Sequence, residues 1–482
     1  MADEYRMLIG GEWVPSESGA VFDATSPSTG EVLGSVPEGT RADAQRAIDA
    51  AGAAWSEWAA ASAFDRAKAM ERVAAIIGER RDDLAQTLTL DQGKPLRAEA
   101  YDEVEELIAY FEMAAADARR MEGTLAPSVD ADKRVLLYRV PRGVVSVISP
   151  WNWPYTMPGE ILAPALAYGN GVVWAPAPTT SICAVKLAEC VADADLPTGL
   201  FNMVTGPGPV VGDEIAANPG TQAVGFIGSI ATGHRVAERA AGKELLLEMG
   251  GNGPLVILED ADVDAAVAAT LPACFLNAGQ SCTAGERILV HEDVHDDYLA
   301  RLTAAIEKQI RLGDPFEDAT TMGPVNNPPT ADKTERHVRD AADRGASVVL
   351  GGRRAPQFGS DLFYEATVVD GVTHDMEIAR EETFGPVVPI STIRSEDEAV
   401  RIVNSSPYGL LSAVFTRDLR RGLRYAEAVR AGWVNINEGT NYWEPHLPFG
   451  GRAGSKSGVG RVGGRFSMDR LTELKTVVVN LA

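Results

Sequence analysis

The sequence predicts an α/β protein of two strand-and-helix lobes with a small β-strand arm. Strands alternate with helices from residue 144 to 248, and again from 254 to about 433; the chain then ends on an apolar, strand-like run at 474–481. Such alternation builds parallel sheets, because consecutive parallel strands need a connection that crosses one face of the sheet.

Ahead of the first lobe, 41–59, 64–90 and 96–121 carry apolar residues at helical spacing, so three long helices are expected. A strand-like run at 135–140 follows, turned by Pro141-Arg142-Gly143 into a buried strand at 144–148. Strands at 171–174, 200–204, 223–227 and 244–248 alternate with helices at 180–194, near 210 and from 232. In the second lobe, strands are expected at 255–258, 288–291, 347–350, 387–390, 413–415 and 432–435, with helices at 294–308 and 331–344 among them. The terminal strand needs a sheet to join, and a partner subunit is one source of it.

Composition narrows the function classes. The 482 residues suit two or three domains of about 150 residues each, and 45% are hydrophobic, enough for several cores. No apolar run reaches the roughly 18 residues of a membrane span. The opening MADEYRMLIG lacks a basic stretch followed by a long apolar one, so a cytoplasmic enzyme is expected. The net charge of −24, with no basic patch, argues against nucleic acid as a partner. So acidic a surface reads either as simple solubility or as adaptation to a salt-rich cytoplasm. Four cysteines, Cys183, Cys190, Cys274 and Cys282, form no CxxC pair, so neither a zinc site nor a disulfide is expected.

Four segments carry chemistry. Gly279-Gln280-Ser281-Cys282-Thr283-Ala284-Gly285 sets a cysteine among small residues ahead of a strand, where a thiolate could attack a carbonyl carbon. Leu247-Glu248-Met249-Gly250-Gly251-Asn252 ends an apolar strand on a carboxylate whose desolvation would suit it to act as a base. Ser149-Pro150-Trp151-Asn152-Trp153-Pro154 fixes an amide that could donate to an oxyanion. Phe226-Ile227-Gly228-Ser229-Ile230-Ala231-Thr232-Gly233 turns from strand to helix and would present backbone N–H groups to phosphate. Taken singly, these also read as a core thiol, a surface glutamate before a turn, an aromatic turn and an ordinary helix start. A second glycine run, 206–212, follows a strand too, but its spacing is one residue too long for the dinucleotide fingerprint.

Together with Gly169-Asn170-Gly171, Glu381-Glu382-Thr383-Phe384-Gly385-Pro386 and Pro448-Phe449-Gly450-Gly451, these segments stand in the order of the aldehyde dehydrogenase superfamily, which the whole chain resembles. The resemblance implies an NAD(P)-dependent, hydrolytic aldehyde dehydrogenase with two Rossmann-like lobes. It assigns 1–123 and 142–248 to cofactor binding, 249–440 to catalysis, and 124–141 with 463–482 to oligomerisation, in a homodimer or homotetramer. Cys282 would be the nucleophile; Asn152 and the Cys282 N–H, the oxyanion donors; Glu248, the base that activates water. Ser229 and Gly228 would meet the pyrophosphate, Glu382 the nicotinamide ribose, and Phe384 the nicotinamide. Ile148, Ser149, Pro150, Trp151, Gly208, Gly212, Phe226 and Met249 complete the implied cofactor site. Tyr155, Met157, Ser281, Thr283, Asn441, Trp443 and His446 fall at substrate-pocket positions.

The chain departs from the family pattern after Gly171. The usual lysine and ribose-binding glutamate are replaced by Ala175 and Pro178 in Trp174-Ala175-Pro176-Ala177-Pro178. Loss of the glutamate admits the 2′-phosphate of NADP, loss of the lysine removes its usual anchor, and Arg235 is the candidate replacement. A second usual lysine is Ile161, and 452–458 is longer than usual. For substrate, the motif pattern resembles dicarboxylate semialdehyde enzymes, with 2,5-dioxopentanoate and succinate semialdehyde foremost, and a benzaldehyde-like aldehyde as the alternative. A CoA-acylating enzyme is disfavoured by Glu248, and a non-catalytic protein on this fold by the intact Cys282, Asn152 and Glu248.

Overall fold

The computed structural model describes residues 3–482. Five parallel strands form the centre of the first sheet, in the order Glu244–Met249, Ala223–Gly228, Val144–Ile148, Gly171–Ala175 and Phe201–Met203. Antiparallel strands close its edges: Gly458–Val459 beside Glu244–Met249, and Met7–Ile9 with Glu12–Val14 beyond Phe201–Met203. Strand order reverses between Val144–Ile148 and Ala223–Gly228, so the connections leave to opposite sides and open a crevice at the strand ends, where α/β sheets bind ligands.

The second sheet runs Ser347–Leu350, Thr367–Asp370, Val387–Ile393, Gly285–His291, Gly253–Ile257, Leu411–Phe415 and Trp433–Ile436, parallel except for its first strand. Residues 250–252 join the two sheets. The end of Glu244–Met249 and the start of Gly285–His291 therefore lie at the junction of the lobes.

Each sheet buries its own core. Val145, Val147, Leu166 and Trp174 pack under the helices Ala63–Glu79 and Tyr101–Ala118 in the first lobe; Leu255, Ile288, Val388 and Phe415 centre the second. The helix Thr156–Ala167 is buried along its whole length, as an apolar helix between a sheet and another helix must be.

Two expected helices are broken. The run at 64–90 is interrupted at Arg80 (φ −101°, ψ 14°), between Ala63–Glu79 and Arg81–Gln92. Its apolar spacing continues across the break, but Asp82 and Asp83 fall in the first turn of the second helix, where the dipole favours carboxylates. The run at 96–121 opens with a π turn, Leu96–Ala100, before Tyr101–Ala118. The strands at the N-terminus, from Asp3 to Pro37, leave no periodic signal in the sequence because they are short and cut by Gly, Ser and Pro.

The terminal strand Thr472–Asn480 pairs over nine residues with Lys133–Pro141 of its own chain, and Thr124–Ala126 completes a three-stranded sheet. The sheet is thus supplied within the chain rather than by a partner. It leaves Leu125, Leu474 and Val478 more than half exposed. Among the described residues, no helix is long and apolar enough to cross a membrane.

Candidate active site

Cys282 is held by an unusual turn. Asn277, Ala278 and Gly279 take φ values of 52°, 52° and 74° in succession, which ends the helix Val263–Phe275 abruptly. A left-handed alanine costs about 1–2 kcal/mol, so the surroundings must enforce it. They do so through buried amides. Gln92 donates to Asn277 Oδ1 (2.8 Å), the Asn277 N–H donates to Glu99 (3.0 Å), and Gln280 Nε2 donates to the Asn277 carbonyl (2.8 Å). Gly279 is required, because an added Cβ would overlap the Gly385 carbonyl oxygen.

The same turn places Asn152. Its carbonyl accepts from Asn277 Nδ2 at 2.7 Å, and its own amide donates to the Gln280 carbonyl at 3.0 Å. One hydrogen of the Asn152 amide is so engaged, and the second is left for another acceptor. Ser281 and Thr283 flank Cys282 with their hydroxyls 2.8 Å apart.

Cys282 walls two cavities at once, and Met157 is the other residue common to both. The first, about 160 Å³, is bounded by Pro150, Trp151, Asn152, Gly228, Ser229, Glu248, Met249, Glu382 and Phe384. Trp151 meets Phe384 edge-on, ring centres 5.6 Å apart, and the Glu382 carboxylate accepts from the Gly251 N–H at 2.9 Å. Two residues that sequence reasoning missed, Thr330 and Lys333, come from the helix Pro328–Asp343. The second cavity is tight, with about 30 Å³ of free space. Of the positions named from the sequence, Met157, Ser281, Thr283, Asn441 and Trp443 line it, and Glu106, Trp153, Glu160, Leu276 and Phe449 join them.

Two pocket expectations are corrected. Tyr155 is wholly buried in the first core, its hydroxyl donating to the Leu84 carbonyl at 3.1 Å, and it walls neither of the two cavities at Cys282. His446 is exposed in a loop beside Glu444, 3.4 Å away, and does not reach the cavity.

A third cleft, about 200 Å³, continues along the crevice between Thr232, Arg235, Val236 and Arg239 on one side and Ile148, Gly208, Gly212 and Asp213 on the other. Ser229 caps the helix Ile230–Arg239, its hydroxyl accepting from the Thr232 N–H. Gly233 lets that helix lie directly on Met249, since an added Cβ would overlap the methionine sulfur. The free N–H groups of the helix start therefore sit at the strand ends, a fit for a pyrophosphate. Gly208–Gly212 forms the facing wall of this cleft. Ser149 and Phe226 turn into the fold: Ser149 Oγ accepts from the Trp174 indole at 2.8 Å, and Phe226 is buried. Ala175 is buried at its strand end and Pro178 is exposed; neither walls the cleft.

The electrostatics are one-sided. Burial pushes the Cys282 thiol well above its ordinary value, and Glu248, Glu382 and Glu160 add to the shift. Burial, then Glu160, raises the Glu248 carboxyl, although Arg461 opposes it; burial and Glu286 push Glu382 up to about 8. Among the described residues, Glu248 Oε1 has no hydrogen-bond partner.

A half-buried thiol that walls both a cavity at the strand-end crevice and a narrow pocket beyond it fits a nicotinamide-dependent oxidoreductase of thiol type. The chain belongs to the aldehyde dehydrogenase family, whose model matches residues 13–477. It is an NAD(P)-dependent enzyme that oxidises an aldehyde to a carboxylate. It is 37% identical to the NADP(+) succinate-semialdehyde dehydrogenase GabD of Escherichia coli (strain K12), covering 99% of this chain and 98% of that one. It matches the crystal structures of a succinate-semialdehyde dehydrogenase from Burkholderia pseudomallei (38% identity, TM-score 0.96, 99% and 98% covered) and an NAD-dependent aldehyde dehydrogenase from Sinorhizobium meliloti (37%, 0.96, 100% and 95%). Relatives at 35–36% identity, each matched over 98% of this chain, are named for glutarate semialdehyde in Pseudomonas aeruginosa, and for α-ketoglutaric semialdehyde and betaine aldehyde in Bacillus subtilis (strain 168).

Proposed function

We propose that Cys282 carries the acyl group and that Glu248 frees it. The supporting observation is that Cys282 is a shared wall of the cofactor cavity and the substrate pocket, with Glu248 on the cofactor side. The Cys282 thiol gives up its proton to solvent as its sulfur attacks the aldehyde carbon, and the oxygen gains negative charge, to which the free hydrogen of the Asn152 amide and the Cys282 N–H can donate. The thiohemiacetal collapses to a thioester as its hydride leaves; NAD(P)+ supplies the hydride acceptor. Glu248 then takes a proton from water, which attacks the thioester and releases the carboxylate and the thiol. Ser229 and the N-terminus of Ile230–Arg239 would hold the pyrophosphate, with Glu382 at the nicotinamide ribose. Loss of turnover in Cys282→Ala, with cofactor binding retained, tests the assignment.

The cofactor reading is that NADP serves at least as well as NAD. No carboxylate stands at Pro178 to repel a 2′-phosphate, and among the described residues Arg235 makes no ion pair, whereas Arg239 pairs with Asp213 at 2.8 Å. For substrate, the names of the relatives support a dicarboxylate semialdehyde, and 2,5-dioxopentanoate and succinate semialdehyde are the first to assay. None of those relatives is named for an aromatic aldehyde, so that alternative is not favoured. The exposed apolar side chains of the three-stranded sheet support a homodimer or homotetramer. Sedimentation of the wild type against Leu474→Asp tests this: equal masses refute it.

A further inference from the structure

The walls of the substrate pocket differ in charge from what a carboxylate-tailed substrate needs. Among the described residues, no lysine, arginine or histidine lines the pocket, and two carboxylic acids do, Glu106 and Glu160. Glu160 is 2% exposed, the single charged residue of the helix Thr156–Ala167, and among the described residues its Oε1 has no hydrogen-bond partner. A buried acid with an unpaired oxygen at a pocket wall lacks a donor. Lys94, whose charge acts on Glu106, cannot be that donor: it is wholly buried, bound to Glu103, and its ammonium lies 3.2 Å from the Trp153 ring centre. Aromatic rings complete the pocket. Tyr110 stacks on Trp443 at 6.3 Å, Trp443 meets Phe449 at 5.8 Å, and the Tyr110 hydroxyl reaches Glu106 at 3.4 Å.

We infer that this pocket accepts the protonated amine of a short ω-aminoaldehyde, whose ammonium group donates to Glu160 and Glu106 among the rings of Trp153, Trp443 and Phe449. Aromatic faces attract cations, and an ammonium hydrogen-bonded to a carboxylate makes a charge-assisted contact. Burial, with Glu103 adding to it, holds Glu106 up at about 8, and burial, with Glu106 adding to it, holds Glu160 above its ordinary range, so a cation seated between them offsets the cost of their charge. A substrate carboxylate would meet the same two acids with no cation to pair with. The inference rests on the Cys282 reading and departs from the semialdehyde reading, which draws on the relatives' names rather than on these walls; the order of substrates below tells the two apart. For 3-aminopropanal the balance is aldehyde plus NAD(P)+ plus water to 3-aminopropanoate, NAD(P)H and two protons.

The test compares kcat/KM for 3-aminopropanal, butanal, which replaces the ammonium by methyl, and succinate semialdehyde. Betaine aldehyde, a cation without a hydrogen to donate, is the fourth arm. The expected order puts 3-aminopropanal at least about tenfold above butanal, with betaine aldehyde between them and succinate semialdehyde below. In Glu160→Gln the ratio of 3-aminopropanal to butanal falls about tenfold, and in Glu106→Gln it falls less. Inhibition is a second readout: n-propylammonium competes with butanal in the wild type and propionate does not. Succinate semialdehyde above butanal, or an unchanged ratio in Glu160→Gln, overturns the inference. Failure to oxidise any of the four aldehydes, butanal included, would instead count against the Cys282 reading.

Discussion

Replacing Glu248 by Gln separates the two half-reactions. The side chain is 3% exposed, and among the described residues its Oε1 has no partner. The amide has the same shape and adds no unpaired charge, so stability should change by no more than about 1 kcal/mol. The base is needed only after hydride has left, so the first turnover survives in the variant. Rapid mixing should show a burst of about one reduced cofactor per active site, followed by slow turnover. General-base catalysis contributes about 10²- to 10⁴-fold, so the steady-state rate should fall by that factor, about 3 to 5 kcal/mol of barrier. Wild-type deacylation should also gain rate as pH rises, because burial and Glu160 hold the Glu248 carboxyl above its ordinary value and only the ionised form accepts a proton. That dependence should vanish in the variant. An undiminished steady-state rate refutes the role; loss of the burst would move Glu248 to the first half-reaction.

Cys282→Ala should abolish oxidation, whereas Cys274→Ala, which removes a buried thiol donating to the Gly285 carbonyl at 3.2 Å, should keep it; equal loss in a folded Cys274→Ala refutes the choice of thiol. Arg235→Ala should weaken NADP by about 1–3 kcal/mol, the scale of a charge-assisted hydrogen bond, and leave NAD nearly unchanged; equal loss for both cofactors removes the arginine from the site. Asp91 and Glu99 are buried, and desolvation raises each to about 7. Their folded values exceed the unfolded ones of about 4, so their contribution is full at low pH and is lost as pH rises from about 4 through 7. Tm should fall across that window, and less steeply in Asp91→Asn or Glu99→Gln; identical slopes would refute the linkage.

The local pattern determined much of this protein. Apolar runs and helical spacing located most strands and helices of both lobes, because a parallel strand buried on both faces and a helix buried on one leave marks a few residues apart. The loop of Cys282, the strand end of Glu248 and the helix start at Ser229 were legible because a turn, a strand end and a helix cap each need particular residues at fixed spacing. The Arg80 break was not legible, since the apolar spacing runs through it. Tyr155 and His446 were misplaced because sequence position does not fix which way a side chain leaves a turn. Glu160 showed a signal, a lone charge in an apolar helix, but its partner Glu106 lies 54 positions earlier on another helix. Only the packing of Thr156–Ala167 against Tyr101–Ala118 brings the two acids to one pocket wall. The sequence thus decided which residues can do chemistry, and the tertiary structure decided which of them meet, because contact between distant segments depends on how whole elements pack.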